Sequence, residues 1–126
     1  MTIVQKLDKV FRDYLLSKAT KNKEGKYLCP LLNKWVDESQ IQVCHYIPRM
    51  YRGTRWDMDN CILCSKQTNE GENYIKEGIG NIHLNRFRKY LGEEKALYLE
   101  SIKTNKYSVK DLEILYLELK NKNYGN

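Results

Sequence analysis

Residues typical of a functional centre are concentrated in one stretch of the chain, between Cys44 and Asn73. This stretch contains three of the four cysteines, one of the two histidines and three of the six arginines. From Arg49 to Asp59 it has no hydrophobic periodicity, which indicates an ordered loop. A chain of 126 residues can bury one core. The sequence therefore predicts a single domain in which the other elements support this stretch.

The segments on both sides have helical periodicity, which predicts an α+β fold that is mostly helical. A capping box formed by Thr2 and Gln5 is expected to begin the first helix. The predicted parts are an N-terminal helix in residues 1–20, a centre in residues 26–74 and C-terminal helices in residues 81–122.

Short elements are predicted inside the centre. Residues 26–29 and 34–36 can pair as strands around a proline-containing turn. The alternation of residues 41–47 predicts a further strand. After the loop, Asn60 is expected to cap a short helix that continues to Lys66.

The charge of the chain favours a polyanionic partner. The formal net charge is +6 and the isoelectric point is about 9.1. A solvated basic face is the simpler explanation of the same numbers. The sequence shows no secretory signal and no apolar run long enough to span a membrane, so we expect a cytoplasmic protein without membrane contact.

The candidate catalytic residues are His45, Asn60 and Asn69. Their order and spacing could place a histidine, from a strand, and two asparagines around one cation. The histidine would deprotonate a water that attacks phosphorus, since the pKa of an imidazole lies near neutrality. The asparagines would hold the histidine ring or bind a divalent ion. A histidine beside apolar strand residues is also commonly a hydrogen-bonded core residue.

Arginines close to these residues are candidates for DNA contact, because a guanidinium group binds phosphate with two parallel hydrogen bonds. In the alternative interpretation, at least one of them pairs with Asp57 or Asp59 and rigidifies the loop. The candidate DNA-binding residues are Arg49, Arg52, Arg55, Arg86, Arg88 and Lys89.

The cysteines are candidates for a structural Zn²⁺ site. Cys61 and Cys64 have the spacing of a zinc knuckle, and Cys29 and Cys44 lie upstream across the predicted hairpin. In a reducing compartment, cysteines more often bind metal or pack in the core than form disulfides. The alternative is that all four are reduced, buried and free of metal.

Several of these motifs resemble those of the NinG (Rap) recombination proteins of bacteriophages, which belong to the HNH nuclease group. The resemblance covers roughly residues 7–92, and its most specific parts are an H-x-I-P-R segment and a T-R-W-D-x-x-N segment. The segments that match, in the order of the family, are Leu7–Tyr14, Cys29-Pro-Leu-Leu-Asn-Lys34, Cys44-His-Tyr-Ile-Pro-Arg49, Thr54-Arg-Trp-Asp-Met-Asp-Asn60, Cys61-Ile-Leu-Cys64-Ser65 and Gly71-Glu-Asn-Tyr74.

The chain departs from the family pattern at the cysteines. Leu32 stands where the family has the second cysteine of its first knuckle, and Cys44 stands where the family has glycine before the histidine. Asn60 directly precedes Cys61, whereas the family has a short spacer between the asparagine and the second knuckle.

These departures leave the third residue of the HNH set open. If the spacer is deleted, Cys61 and Cys64 form the second knuckle and Ser65 follows it. Without a deletion, Asn69 is the third residue and zinc is lost. We favour Asn69 because its spacing from Asn60 fits the family, with Ser65 and Asn73 as alternatives.

The resemblance implies a ββα-metal nuclease centre that hydrolyses phosphodiester bonds in branched DNA. It implies Mg²⁺ or Mn²⁺ for catalysis and, for a phage-encoded protein, the cytoplasm of the infected bacterium. A junction has two-fold pseudo-symmetry, which a homodimer would match. Two other classes stay open: a non-catalytic, zinc-stabilised DNA-binding module on the same scaffold, and a small interaction protein whose basic face is incidental.

Overall fold

The protein is described here by a computed structural model that covers residues 1–66 and 81–124. Within these ranges it has five α-helices and two small antiparallel sheets, which confirms the predicted α+β class. The helices are α1 (Ile3–Lys18), α2 (Arg52–Arg55), α3 (Asn81–Leu91), α4 (Glu93–Ile102) and α5 (Val109–Tyr124). The strands are β1 (Tyr27–Cys29), β2 (Lys34–Val36), β3 (Ile41–His45) and β4 (Cys61–Ser65).

Helix α1 begins at the predicted capping box. The Thr2 backbone N–H donates to Gln5 Oε1 at 2.9 Å, and the Gln5 backbone N–H donates to Thr2 Oγ1 at 3.2 Å. These two bonds satisfy backbone groups that the first turn of a helix leaves without partners. The buried stripe of α1 consists of Leu7, Val10, Phe11 and Leu15.

Strands β1 and β2 form the predicted hairpin. Tyr27 pairs with Val36, and Cys29 pairs with Lys34. The connecting turn closes with a hydrogen bond from the Asn33 N–H to the Cys29 carbonyl, and Asn33 adopts a φ of +53°. Asparagine tolerates this left-handed conformation better than most residues, which explains why the turn ends there.

Strands β3 and β4 form the second sheet, and this pairing overturns one prediction. Residues 61–65 are a strand and not the helix expected after Asn60. His45 lies opposite Cys61 in the ladder, and Cys44 lies opposite Ile62. Asn60 is not a helix cap but ends a short 3₁₀ turn immediately before β4.

The C-terminal helices begin where local signals predict. Gly92, with a φ of +90°, separates α3 from α4. The Ser108 hydroxyl accepts from the Asp111 N–H, and the Asp111 carboxylate accepts from the Ser108 N–H at the start of α5. Helix α5 packs along α1, and the Asn123 side chain donates to the Val10 carbonyl at 2.9 Å.

The buried apolar residues form one cluster to which α1, both sheets and the C-terminal helices contribute. The 3-residue strand β1 packs on β4, which also contacts α1. No helix among the described residues is long and apolar enough to cross a membrane. The loop between β3 and β4 contributes buried residues to this core, and it carries four of the predicted functional residues, namely Arg49, Arg52, Arg55 and Asn60.

Candidate active site

His45 is the last residue of β3, where the chain leaves the sheet and enters the loop. Its side chain is half-buried, and its Nε2 lies 3.0 Å from the carbonyl oxygen of Arg55. Because a carbonyl oxygen can only accept, this bond places the proton on Nε2. In the neutral ring, the lone pair is then on Nδ1, so a single hydrogen bond selects the nitrogen that can act as a base.

The surroundings of His45 favour its neutral form. Burial lowers the pKa of His45 below its usual value, and the positive charges of Arg49 and Arg55 lower it further. The hydrogen bond to the Arg55 carbonyl and the negative charge of Asp8 act in the opposite direction but do not cancel this effect. At neutral pH the ring is therefore ready to accept a proton.

Asn60 is buried with no exposed surface, and its side-chain amide joins two parts of the loop. Its Oδ1 accepts from the Ile47 N–H at 2.7 Å. Its Nδ2 donates to the Ile47 carbonyl at 3.1 Å and to the Thr54 carbonyl at 3.0 Å. An amide committed in this way positions the backbone and is poorly suited to bind a cation. The Asn60 amide thus holds the backbone of Ile47 and Thr54, whereas the His45 ring is held by the Arg55 carbonyl.

Asp8 of α1 connects the first helix to the loop. Its carboxylate accepts from Arg55 Nε at 3.0 Å and from Arg55 Nη2 at 2.6 Å. It also accepts from Trp56 Nε1 at 2.9 Å, and Arg49 Nη2 lies 3.5 Å away. Two parallel bonds from one guanidinium fix orientation as well as distance. Asp8 therefore holds the residue whose carbonyl contacts His45.

The same contacts keep Asp8 charged. Burial alone would raise the pKa of Asp8, but the hydrogen bonds from Arg55 and Trp56 and the charges of Arg55 and Arg49 together lower it. The sequence predicted an acidic partner for one of these arginines but expected Asp57 or Asp59, and the partner is Asp8. The only signal for Asp8 was its place within the first segment of the family resemblance, because its partner is 47 positions away in the sequence.

The six candidate DNA-binding residues are in different situations. The Arg55 side chain is 12% exposed and bound to Asp8, so it supports the loop. Arg88 pairs with Glu93 and Glu100 and donates to the Tyr46 hydroxyl at 2.6 Å, which ties α3 to α4 and to the end of β3. The residues that lie at the surface are Arg49, Arg52, Arg86 and Lys89, and the Arg49 side chain is 64% exposed.

Gly53 lets α2 approach the end of α4 closely. A Cβ atom at this position would lie 2.2 Å from the Ile102 carbonyl oxygen and 2.8 Å from that of Lys103. Both atoms belong to the backbone and cannot rotate away. Since α2 provides the carbonyls of Thr54 and Arg55, this contact sets the position of the loop against the C-terminal helices.

The four cysteines do not meet at one point. Successive side chains of a strand point to opposite faces, so Cys61 and Cys64 lie on different faces of the β3–β4 ribbon. Cys64 is paired with Cys44 as a disulfide, with Cα atoms 6.2 Å apart, a pairing that the sequence did not predict. Cys29 and Cys61 are free and buried.

Cys61 shares its face with His45 and contacts the same carbonyl. Its Sγ lies 3.6 Å from the Arg55 oxygen. Burial raises the pKa of the Cys61 thiol well above its usual value, and the charges of Asp57 and Asp8 act in the same direction, so the group stays protonated and can donate. No three His, Cys, Asp or Glu side chains of the described ranges are grouped so that they could hold a metal ion. The described cysteines thus do not fit a single tetrahedral Zn²⁺ site, and zinc stays a prediction.

Asn69, the third predicted catalytic residue, and its alternative Asn73 lie outside the described residues. The structure therefore brings together His45 and Asn60 of the predicted catalytic set, and adds Asp8 to them. The chain has no match among protein-family models, curated proteins or solved structures.

Proposed function

We propose that this chain is a metal-dependent DNA endonuclease of the HNH type, similar to the phage NinG recombination proteins, which hydrolyses phosphodiester bonds in branched or otherwise structured DNA. The observation that carries the proposal is the hydrogen bond between His45 Nε2 and the Arg55 carbonyl. This bond leaves Nδ1 as the basic nitrogen of a half-buried ring. The ring belongs to the residue that directly precedes the loop with Arg49, Arg52 and Arg55.

In the proposed reaction, His45 accepts a proton from the water that attacks phosphorus. Asp8 binds the side chain of Arg55, whose carbonyl contacts the ring, and Asn60 binds the carbonyl of the preceding residue, Thr54, so both act through the loop. Both are positioning residues. Neither would exchange a proton with the substrate.

Phosphate contact in this proposal falls to the exposed guanidinium groups. Arg49 and Arg52 lie on the same loop as the His45 partner, and a phosphate there would meet donors that are not already committed to a buried ion pair. Arg49 is 3.5 Å from Asp8, a longer and more exposed contact than that of Arg55, so it can exchange this partner for a phosphate.

A divalent ion, Mg²⁺ or Mn²⁺, would stabilise negative charge on the scissile phosphate and the leaving oxygen. The described residues do not assemble a site for it, because the Asn60 amide is occupied and Asn69 is outside the described ranges. The ββα character of the centre is likewise part of the proposal, supported by the antiparallel β3–β4 pair and the long loop between its strands.

The test is nicking of a four-way DNA junction in Mg²⁺ or Mn²⁺ by the wild type and by two variants of His45. His45→Ala removes the ring, whereas His45→Gln keeps an N–H donor for the Arg55 carbonyl and cannot act as a base. We expect both variants to lose cleavage by about 10²–10⁴-fold, with DNA affinity and melting temperature close to wild type for His45→Gln. Lys9→Gln, a surface change remote from the loop, should keep full activity.

Three results would contradict the proposal in different ways. Cleavage by His45→Gln at the wild-type rate would exclude His45 as the base. Tight DNA binding by the wild type with no cleavage in either metal would favour the non-catalytic DNA-binding module. A wild type that binds no DNA at low salt would favour the small interaction protein.

A further inference from the structure

Two lysines from different helices meet at one tyrosine ring, at a place distinct from the loop. Lys18 Nζ, in the last turn of α1, lies 5.6 Å from the centroid of the Tyr14 ring. Lys122 Nζ, in the last turn of α5, lies 5.9 Å from the same centroid. Each contact is a weak cation–π interaction at an exposed position. The ring thus brings together two positive charges that would otherwise separate.

These two charges have no acidic partner in the described part of the chain. The ion pairs formed there involve other lysines and arginines, and none includes Lys18 or Lys122. A lysine paired with a carboxylate would form an ion pair with no net charge. Here both ammonium groups lie within 6 Å of one ring centroid, neither has a carboxylate partner among the described residues, and both lysines are exposed.

The surrounding sequence increases the positive charge. Residues 1–28 contain seven Lys and Arg against three acids. Of these acids, Asp8 is bound by Arg55, and Asp13 pairs with Lys9 at 4.0 Å. The acids of this region are therefore mostly engaged elsewhere, and the end of α1 keeps its positive charge.

We propose that Lys18 and Lys122, gathered on the ring of Tyr14, form a second DNA contact that binds backbone phosphates. A lysine ammonium binds phosphate as a point charge and reads no base, so the contact would act on any sequence.

The position of the site also defines its relation to the proposed active site, and this step rests on the proposed function. Asp8 and Lys18 are ten residues apart on α1. At 1.5 Å per residue, the site lies roughly 15 Å along the helix axis from the residue that holds the loop. Duplex DNA carries one phosphate per about 1.7 Å of its axis. The second contact would therefore hold a DNA arm several phosphates away from the scissile bond.

The test compares two double variants in the His45→Gln background, so that cleavage does not interfere. Lys18→Gln/Lys122→Gln removes the site. Lys9→Gln/Lys95→Gln removes the same net charge from lysines that already pair with Asp13 and Asp59. Affinity for a 20-base-pair duplex is measured as a function of salt concentration.

We expect the first double variant to reduce the slope of log K against log salt concentration by about 1.8, that is about 0.9 for each lost phosphate contact. The second should change the slope by less than half of that. As a check that needs no substitution, duplex DNA should protect Lys18 and Lys122 from acetylation and leave Lys9 and Lys95 reactive.

Equal slopes for the two double variants, or acetylation of Lys18 and Lys122 that DNA does not slow, would overturn the second contact. These results do not depend on nicking, which tests the proposed function separately. Nicking of junctions without protection of Lys18 would agree with the proposed function and would exclude the second DNA contact.

Discussion

His45 and Asn60 bind the carbonyl groups of two consecutive residues. Asn60 Nδ2 donates to the Thr54 carbonyl, and His45 Nε2 lies on the Arg55 carbonyl, each at 3.0 Å. Both carbonyls lie at the end of the short helix α2, and the Thr54 carbonyl also accepts from the Asp57 N–H at 3.2 Å. The candidate base and the buried asparagine are thus linked through the end of one helical turn, and a change at Asn60 should reach His45.

The first prediction concerns Asn60→Ala. This change removes three hydrogen bonds in a site with no exposed surface and leaves the N–H and carbonyl of Ile47 unsatisfied, whereas the Thr54 carbonyl keeps its bond from the Asp57 N–H. Unsatisfied buried groups cost about 1–3 kcal/mol each, so a loss on the order of 3 kcal/mol is expected once water reaches the site. Chemical denaturation measures it.

Asn85→Ala, at an exposed position of α3, is the matched control and should change the free energy of unfolding by less than about 0.5 kcal/mol. Since Asn60 positions the carbonyl next to that of Arg55, its variant should also lose cleavage activity at temperatures where it remains folded. Wild-type stability in Asn60→Ala would show that the loop does not depend on this amide.

The second prediction is the pH dependence of cleavage. The neutral form of His45 is the base, and burial together with Arg49 and Arg55 lowers its pKa below the usual value of about 6.5. Activity should therefore persist as the pH falls below neutrality, and the acidic limb of the kcat/KM profile should have its midpoint below pH 6.5. A midpoint above 6.5 would mean that the ring is solvated or paired with an acid.

The third prediction concerns Asp8→Asn. The change replaces one of the two oxygens that accept from Arg55 and Trp56 with an NH₂ group, and it removes the negative charge that raises the pKa of His45. We expect a lower melting temperature, weaker cleavage and an acidic limb shifted to still lower pH. Asp13→Asn, which affects only an exposed pair with Lys9, should change none of the three.

The stabilisation by Asp8 also has a predictable dependence on pH. Its pKa is lower in the folded chain than in the unfolded chain, so its contribution is fully present above the unfolded pKa of about 3.9. It is lost as the pH falls through the folded pKa. In a His45→Gln background, where this imidazole no longer titrates, the loss of stability caused by Asp8→Asn should therefore be constant from pH 5 to 7, to within about 0.5 kcal/mol, and should shrink in stronger acid.

Local sequence signals predicted the helices well, because caps and periodicity act over a few residues. The Thr2/Gln5 capping box lies where the sequence placed it, and the C-terminal helices begin at residue 81 as expected. The segment Cys61–Ser65 was wrongly predicted as a helix. A short apolar run carries no period of its own, and its partner strand β3 decides its conformation from a distance.

In the candidate site, too, local features could be predicted from the sequence, whereas contacts between distant residues could not. His45 and Asn60 could be found from their spacing and from the family resemblance. The commitment of Arg55 to Asp8 could not, since a contact over 47 positions leaves no periodic trace. The error in the cysteine site has the same origin as the missed strand. A helix would place Cys61 and Cys64 on one side, whereas the strand places them on opposite faces.

The last prediction tests the zinc site through the faces on which a strand places Cys61 and Cys64. If β4 is a strand, Cys44 and Cys64 act together on one face, and Cys61 acts separately with His45 on the other. In double-mutant cycles of alanine variants, Cys44 and Cys64 should couple by more than about 0.5 kcal/mol, whereas Cys61 and Cys64 should be additive within about 0.5 kcal/mol. A zinc knuckle predicts the reverse, because removal of either ligand abolishes the same metal bond. Strong coupling of Cys61 with Cys64 that disappears with a chelator would show that both bind one ion, and β4 would then have to bend between them.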